Sequence, residues 1–288
     1  MPERAAGDSG GTENARTGPG AGSGTGQGDT VVLFGLTVDR LTMRGVLQRC
    51  RDSLHSRSPL LIGVVNAAKV VNLGRDVRLR ESILECDLVV ADGQSVVWAS
   101  RLLRRPLPTR VAGIDLFAEL LRTAAEEDRG VYLLGARPDV LDTLRARLVE
   151  RFPRLRIVGA RDGYFTEDDE EEVAAGIRDS GADMLFLGIT SPKKENFLHR
   201  WGDTLNVPVQ HGVGGSFDVF AGVTRRAPGP WQRLGLEWAY RMLQEPRRLG
   251  PRYLTTNTAF VWLTLREMVR PRPAYPLPPT SRRPGVPS

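Results

Sequence analysis

The 288-residue sequence is poor in cysteine, histidine, lysine and aromatic side chains, and each scarcity excludes something. The two cysteines, Cys50 and Cys86, have no paired spacing and build no disulfide framework. Cys86 lies in the apolar run SILECDLVV, the setting of a buried free thiol, and reduced thiols favour the cytosol. The three histidines, His55, His199 and His211, are scattered without ligand spacing, so they read as surface or packing residues. No metal and no cofactor are expected. No Asp-x-Asp follows a strand, which weakens the case for a metal-held nucleotide diphosphate. There is no run of about eighteen apolar residues to span a membrane and no apolar signal core at the N-terminus. The only lysines are Lys69, Lys193 and Lys194, so the net charge of +6 is carried by arginine. A basic chain of this kind suits three partners: nucleic acid, an anionic membrane or a phosphorylated small molecule.

What is present divides the chain. Residues 1–29, with GPGAGSGTGQG, cannot bury enough surface to offset their ordering entropy and read as a disordered tail. Residues 30–222 alternate apolar runs with helical stretches. TVVLFGLTVD, PLLIGVVN, DLVVADG, VYLLGA, LRIVGARDGYF, ADMLFLGIT and VPVQHGVG read as strands. Helices are expected at DRLTMRGVLQRCRDSLHSR, AAKVVNLGRDVRLRESILEC, QSVVWASRLL, GIDLFAELLRTAAEEDRG (stopped by Gly130), RPDVLDTLRARLVERFP, TEDDEEEVAAGIRDSGA and PKKENFLHRWGDTL. This order predicts an α/β fold, a Rossmann-like, mostly parallel sheet flanked by helices. Residues 223–270 form an arginine-rich helical appendage in which LTTNTAFVWLTLREMV is too short to cross a bilayer but suited to lie on one. Residues 271–288 are proline-rich and read as unfolded.

In an open parallel sheet, ligands bind outside the carboxyl ends of the strands. Five strand ends carry polar residues or glycine: Asn66, Asp92, Gly135, Gly188 to Glu195, and Gly212 to Ser216. Asp92 is the strongest carboxylate candidate, either a general base towards a hydroxyl or a cap for the helix that follows it. Asn66 either orients a substrate hydroxyl or satisfies a turn. Lys193, Lys194 and Glu195 open a helix that either presents charge to phosphate or is a solvated face. Gly214 and Gly215 belong to a glycine turn that is weak as a signal by itself. Without a metal, leaving-group charge must be met by arginines and backbone N–H groups. Nucleic acid is disfavoured because no reading motif is present. A dinucleotide-dependent oxidoreductase is disfavoured because the first strand lacks a G-x-G-x-x-G turn.

From about Thr30 to Arg252 the sequence resembles the WecG/TagA/CpsF family of bacterial glycosyltransferases (family 26). The residues that carry the resemblance are Val64–Asn66, ECDLVVADGQSVVWASRLL, RVAGIDL, YLLGARPDV, DGYF, LGITSPKKENF, GVGGSFDVFAG, RRAP and GLEWAYRMLQEPRR. The resemblance implies an inverting transfer of an N-acetylmannosamine-type sugar from a UDP-sugar donor. The implied acceptor is a lipid-linked sugar on a polyprenyl diphosphate, at the inner face of the cell membrane. It implies that Asp92 is the catalytic base, that Asn66, Arg110, Lys194, Glu195, Gly214 and Gly215 face substrate, and that Arg241 and Arg248 belong to an appendage that closes over the site and meets an anionic membrane surface. Three positions depart from the family pattern: Lys194 stands for a glutamine, Val64 for a threonine, and Gly250 and Pro251 displace one appendage arginine to Arg252.

The expectation is therefore a membrane-associated glycosyltransferase of cell-surface polysaccharide synthesis. Its rivals are a specialised-metabolite glycosyltransferase and a non-catalytic module recruited to membrane by its basic tail. Self-association is a further expectation, since apolar surface left by a mobile tail must be covered.

Overall fold

The computed structural model describes residues 29–278, except 191, 192, 234 and 245 and the side chains of 233, 241, 247–249 and 251–253. The expectation of disorder at the N-terminus therefore falls, up to residue 28, outside the described residues, and so does the end of the proline-rich tail.

The chain opens with β1 (Thr30–Leu33) and β2 (Leu36–Asp39), then α1 (Met43–Ser56), β3 (Leu60–Val65), α2 (Ala67–Asn72), α3 (Val77–Leu84), β4 (Leu88–Ala91) and α4 (Gln94–Leu102). It continues through α5 (Gly113–Glu126), β5 (Gly130–Gly135), α6 (Pro138–Arg151), β6 (Arg156–Arg161), α7 (Glu170–Asp179), β7 (Met184–Gly188), α8 (Lys193–Trp201) and β8 (Val209–Gly212). Four helices follow: α9 (Ser216–Phe220), α10 (Gly229–Arg233), α11 (Glu237–Gln244) and α12 (Pro246–Val269). Six strands form one parallel sheet in the order β4-β3-β8-β7-β5-β6. The α/β architecture is as the alternation of runs requires.

Successive side chains on a strand point to opposite faces, and the sheet uses both. Met184 and Phe186 of β7 enter the core beneath α1, α5 and α6, whereas Leu185 and Leu187 enter the one beneath α7 and α8. Leu88 and Val90 of β4 join the first of these, and Val89 and Ala91 join a third core shared with α2, α3, α4 and the hairpin. Double coverage explains why these strands are uninterrupted apolar runs. The aromatic centre is Phe117, which packs on Phe186 at 4.8 Å, Phe220 at 5.0 Å and Phe217 at 5.7 Å.

Four expectations change. TVVLFGLTVD is a hairpin rather than one strand, because Phe34 and Gly35 both take positive φ (55° and 82°) and reverse the chain. Burying Phe34 against Phe260 of α12 compensates its left-handed backbone. The hairpin lies beside the edge strand β4, where the Val89 amide donates to Asp39 Oδ2 at 2.7 Å. The long helix read after Asn66 is two helices, since Asp76 caps a new start by accepting from the Leu79 amide. Gly130 opens β5 instead of stopping α5, which ends at Glu126. Finally, residues 271–278 lie against the hairpin: the Tyr275 amide donates to Gly35 O at 2.8 Å, and Tyr275 and Leu277 pack on the third core.

Candidate functional site

The carboxyl ends of β3 and β4 interlock. The amides of Asp92 and Gly93 both donate to Val65 O, and the Cα of Gly93 lies so close to Asn66 that a side chain there would meet it at 3.2 Å. The segment before α5 then runs beside β4, with the Val111 amide donating to Ala91 O at 2.8 Å. This brings the first amide of α5 onto Asp92, where Gly113 N donates to Oδ1 at 2.9 Å. Asp92 therefore anchors the start of α5, not that of α4, whose first turn has no side-chain cap. Oδ2 takes no hydrogen bond from the described residues. One carboxylate oxygen is fixed by backbone, and the other accepts from none of the described residues.

Asn66 caps α2, its Oδ1 accepting from the Lys69 amide at 3.1 Å. The amide nitrogen of that side chain is not used by this cap, so the turn and the substrate reading are compatible at one residue. Arg110 stands just before the strand-hugging segment and faces Glu237 Oε2 at 3.6 Å. Gly214 takes φ +52° with no atom where a side chain would project, so the turn after β8 leaves open space above its backbone. Gly215 follows at the start of α9.

Other strand-end residues are occupied by packing. Gly135 and Gly188 face each other across β5 and β7, so closely that a Cβ on Gly135 would sit 2.5 Å from the Gly188 carbonyl carbon. Lys193 is turned to the loop before α7, where its ammonium donates to Gly163 O at 2.8 Å and to Phe165 O. Lys194 pairs with Glu195 Oε1 at 2.9 Å in a nearly buried position, and its stem fills the space left by Gly212. Beside this pair lies Lys69, which sequence reasoning passed over. Its ammonium donates to Val64 O at 2.8 Å, and burial, reinforced by Lys194 and opposed by Glu195, lowers its pKa to about 8. Beneath α5, His211 is fully buried with Nε2 3.3 Å from Gly113 O. Burial, outweighing that contact, lowers its pKa to about 4 and keeps the ring neutral.

The appendage covers this rim. Gly235, at φ +67°, brings the α10–α11 turn onto Gln94, where a Cβ would lie 2.3 Å from the Gln94 Cβ. Glu237 opens α11 and reaches Arg110 and Arg226. Helix α12 packs on α2 and buries Phe260, Thr264 and Glu267, the last paired with Arg105. Its opposite side exposes Leu254, Val261, Trp262, Leu265, Met268 and Val269. Arg241 lies on α11 and Arg248 on α12, with side chains outside the described set. Among the described residues no helix is long and apolar enough to cross a membrane.

The structure thus gathers Asn66, Asp92 and Arg110 at one rim under the appendage, with Lys194 and Glu195 at the adjoining ends of β3 and β8. Asp115, Arg226 and Glu237, which link core to appendage, lie in three of the motifs that carry the resemblance, but nothing in those motifs shows that they pair with one another. Residues 31–274 match the model of the glycosyl transferase WecG/TagA/CpsF family.

Proposed function

From the premise that the chain belongs to the WecG/TagA/CpsF family, and so is a glycosyltransferase, we propose that it transfers an N-acetylmannosamine-type sugar from a UDP-sugar to a sugar on a polyprenyl diphosphate. The family acts in cell-surface polysaccharide synthesis. The supporting observation is the divided carboxylate of Asp92, tethered at Oδ1 and, among the described residues, uncommitted at Oδ2. Tethering by a backbone amide at a helix start sets the direction of the second oxygen without using it. That oxygen accepts the proton of the acceptor hydroxyl as the hydroxyl oxygen attacks the donor anomeric carbon. The bond from that carbon to the diphosphate breaks on the opposite face, which inverts the configuration. Arg110 and the appendage arginines Arg241 and Arg248 meet the charge gathering on the departing UDP. Asn66 orients a sugar hydroxyl, and the open backbone at Gly214 and Gly215 lines the pocket. Lys194 and Glu195, held together behind β8, support the donor side of the rim.

The acceptor places the reaction at the inner face of the cell membrane. The exposed apolar side of α12, flanked by Arg266 and Arg270, fits a helix lying in an anionic interface.

The deciding experiment is Asp92→Asn, which keeps the shape and the bond to Gly113 but removes the basic oxygen. UDP release with a short-chain lipid-linked acceptor is expected to fall roughly 100-fold or more with folding unchanged. Near-normal turnover would remove Asp92 from the chemistry.

A further inference from the structure

Arg226 stands between α9 and α10, where the chain leaves the core for the appendage. Its Nη1 and Nη2 engage the two carboxylate oxygens of Asp115 at 2.6 and 2.9 Å, and Nη2 also reaches Glu237 Oε1 at 3.2 Å. The other oxygen of Glu237 faces Arg110 at 3.6 Å. Two guanidiniums and two carboxylates form a neutral chain, Asp115–Arg226–Glu237–Arg110, partly shielded from solvent from Arg110 to Arg226 and exposed at Asp115.

The ends of this chain matter. Asp115 lies in the first turn of α5, two residues after Gly113, whose amide holds Asp92. Glu237 is the first residue of α11, the helix that carries Arg241. Both terminal nitrogens of Arg226 are committed to protein carboxylates rather than aimed at a ligand. A planar guanidinium can hold one carboxylate bidentately while contacting a second, which an ammonium cannot do with the same geometry.

We propose that Arg226 is a positioning residue for the transfer, fixing α11 relative to the start of α5 so that base and leaving-group arginines stay in register. Arg226 acts through Glu237 on one side and Asp115 on the other, without touching substrate. This rests on the assignment of Asp92 as the base.

The test is a double-mutant cycle on the full chain, with kcat, donor KM and the unfolding midpoint measured for Arg226→Ala, Glu237→Gln, both together, and Arg226→Lys. A misplacement of reacting groups by about 1 Å can cost roughly 100-fold, and partial loss of register about tenfold. Each single variant is therefore expected to lower kcat about tenfold, with donor KM changed less than about twofold. The double variant is expected to be no slower than the slower single one, and Arg226→Lys to fall between parent and Arg226→Ala. Losses that multiply in the double variant would show that the two residues act separately and overturn the proposal. A raised donor KM with intact kcat would do the same, by making Arg226 a binding residue. If Arg226→Ala does not fold, Arg226→Lys replaces it in the cycle. Asp92→Asn assayed in parallel keeps the two failures apart: it tests the base alone, whereas the cycle reports the Arg226–Glu237 coupling whichever group takes the proton.

Discussion

Acid should weaken this fold through one buried imidazole. His211 is on β8, in the middle of the sheet, under the first turn of α5. In the unfolded chain its pKa returns to about 6.5, whereas in the native state burial holds it at about 4. Between those values the unfolded chain binds a proton that the native state refuses. Stability must therefore fall as pH falls through this window, and none of the loss occurs above it. One pKa unit corresponds to about 1.4 kcal/mol, so lowering the pH from 7 to 5 should cost about 2 kcal/mol through this group alone. For a domain of this size that is a drop of roughly 4–8 °C in the melting midpoint. Other groups titrate too, so the informative quantity is the difference between parent and His211→Gln, in which an amide can still donate to Gly113 O. Urea unfolding at both pH values should show the parent losing about 2 kcal/mol more than the variant. Equal losses in the two proteins would mean that His211 is not held neutral, and the account of its burial would be wrong.

Three further outcomes follow from the rim and its cover. Gly235→Ala adds a Cβ that would lie 2.3 Å from the Gln94 Cβ, an atom that no rotamer moves, at a backbone φ of +67°. The strain of about 1–2 kcal/mol should lift the α10–α11 turn and lower turnover about tenfold with the core melting unchanged; unaltered turnover would refute the docking of that turn on α4. Replacing exposed Trp262 and Leu265 by glutamate should reduce sedimentation with anionic liposomes at least about tenfold while leaving the fold intact, and equal binding would remove α12 as the contact. Turnover should persist in excess EDTA if, as proposed, arginine and backbone meet the leaving-group charge; loss restored by magnesium would overturn that assignment.

Strands β4, β5 and β7 are the most legible in the sequence, because each is a short apolar run buried on both faces, whereas the edge strand β6 and the polar-centred β8 are marked more by their place in the alternation. The hairpin is not, because its turn is Phe34–Gly35 rather than Asn-Gly, and Phe34 is acceptable there only through Phe260, far away in the chain. The cap at Asp76 is a local signal that an apolar pattern on either side masks. At the site, the position of Asp92 at a strand end is legible, but its partner Gly113 is set by how α5 crosses the rim. The Asp115–Arg226 pair joins residues 111 positions apart, and nothing near either one announces the other. Lys69 sits in a helical stretch that gives it no signal of its own, and it becomes half-buried where α8 brings Lys194 and Glu195 against β3 and β8.

The region from Arg226 to Tyr275 is held at both of its ends: by Asp115 on one side of the molecule, and by Gly35, with Arg80 5.0 Å over the Tyr275 ring, on the other. A flap hinged along one edge swings clear of what it covers; a span resting on two piers can only bow. If the rim beneath it is the site, as proposed, substrate passes under an arch rather than through a door, and the bulk of an incoming saccharide is limited by how far that arch rises. Freeing either pier would turn bowing into swinging, and would widen the passage at the expense of the register that the arch maintains.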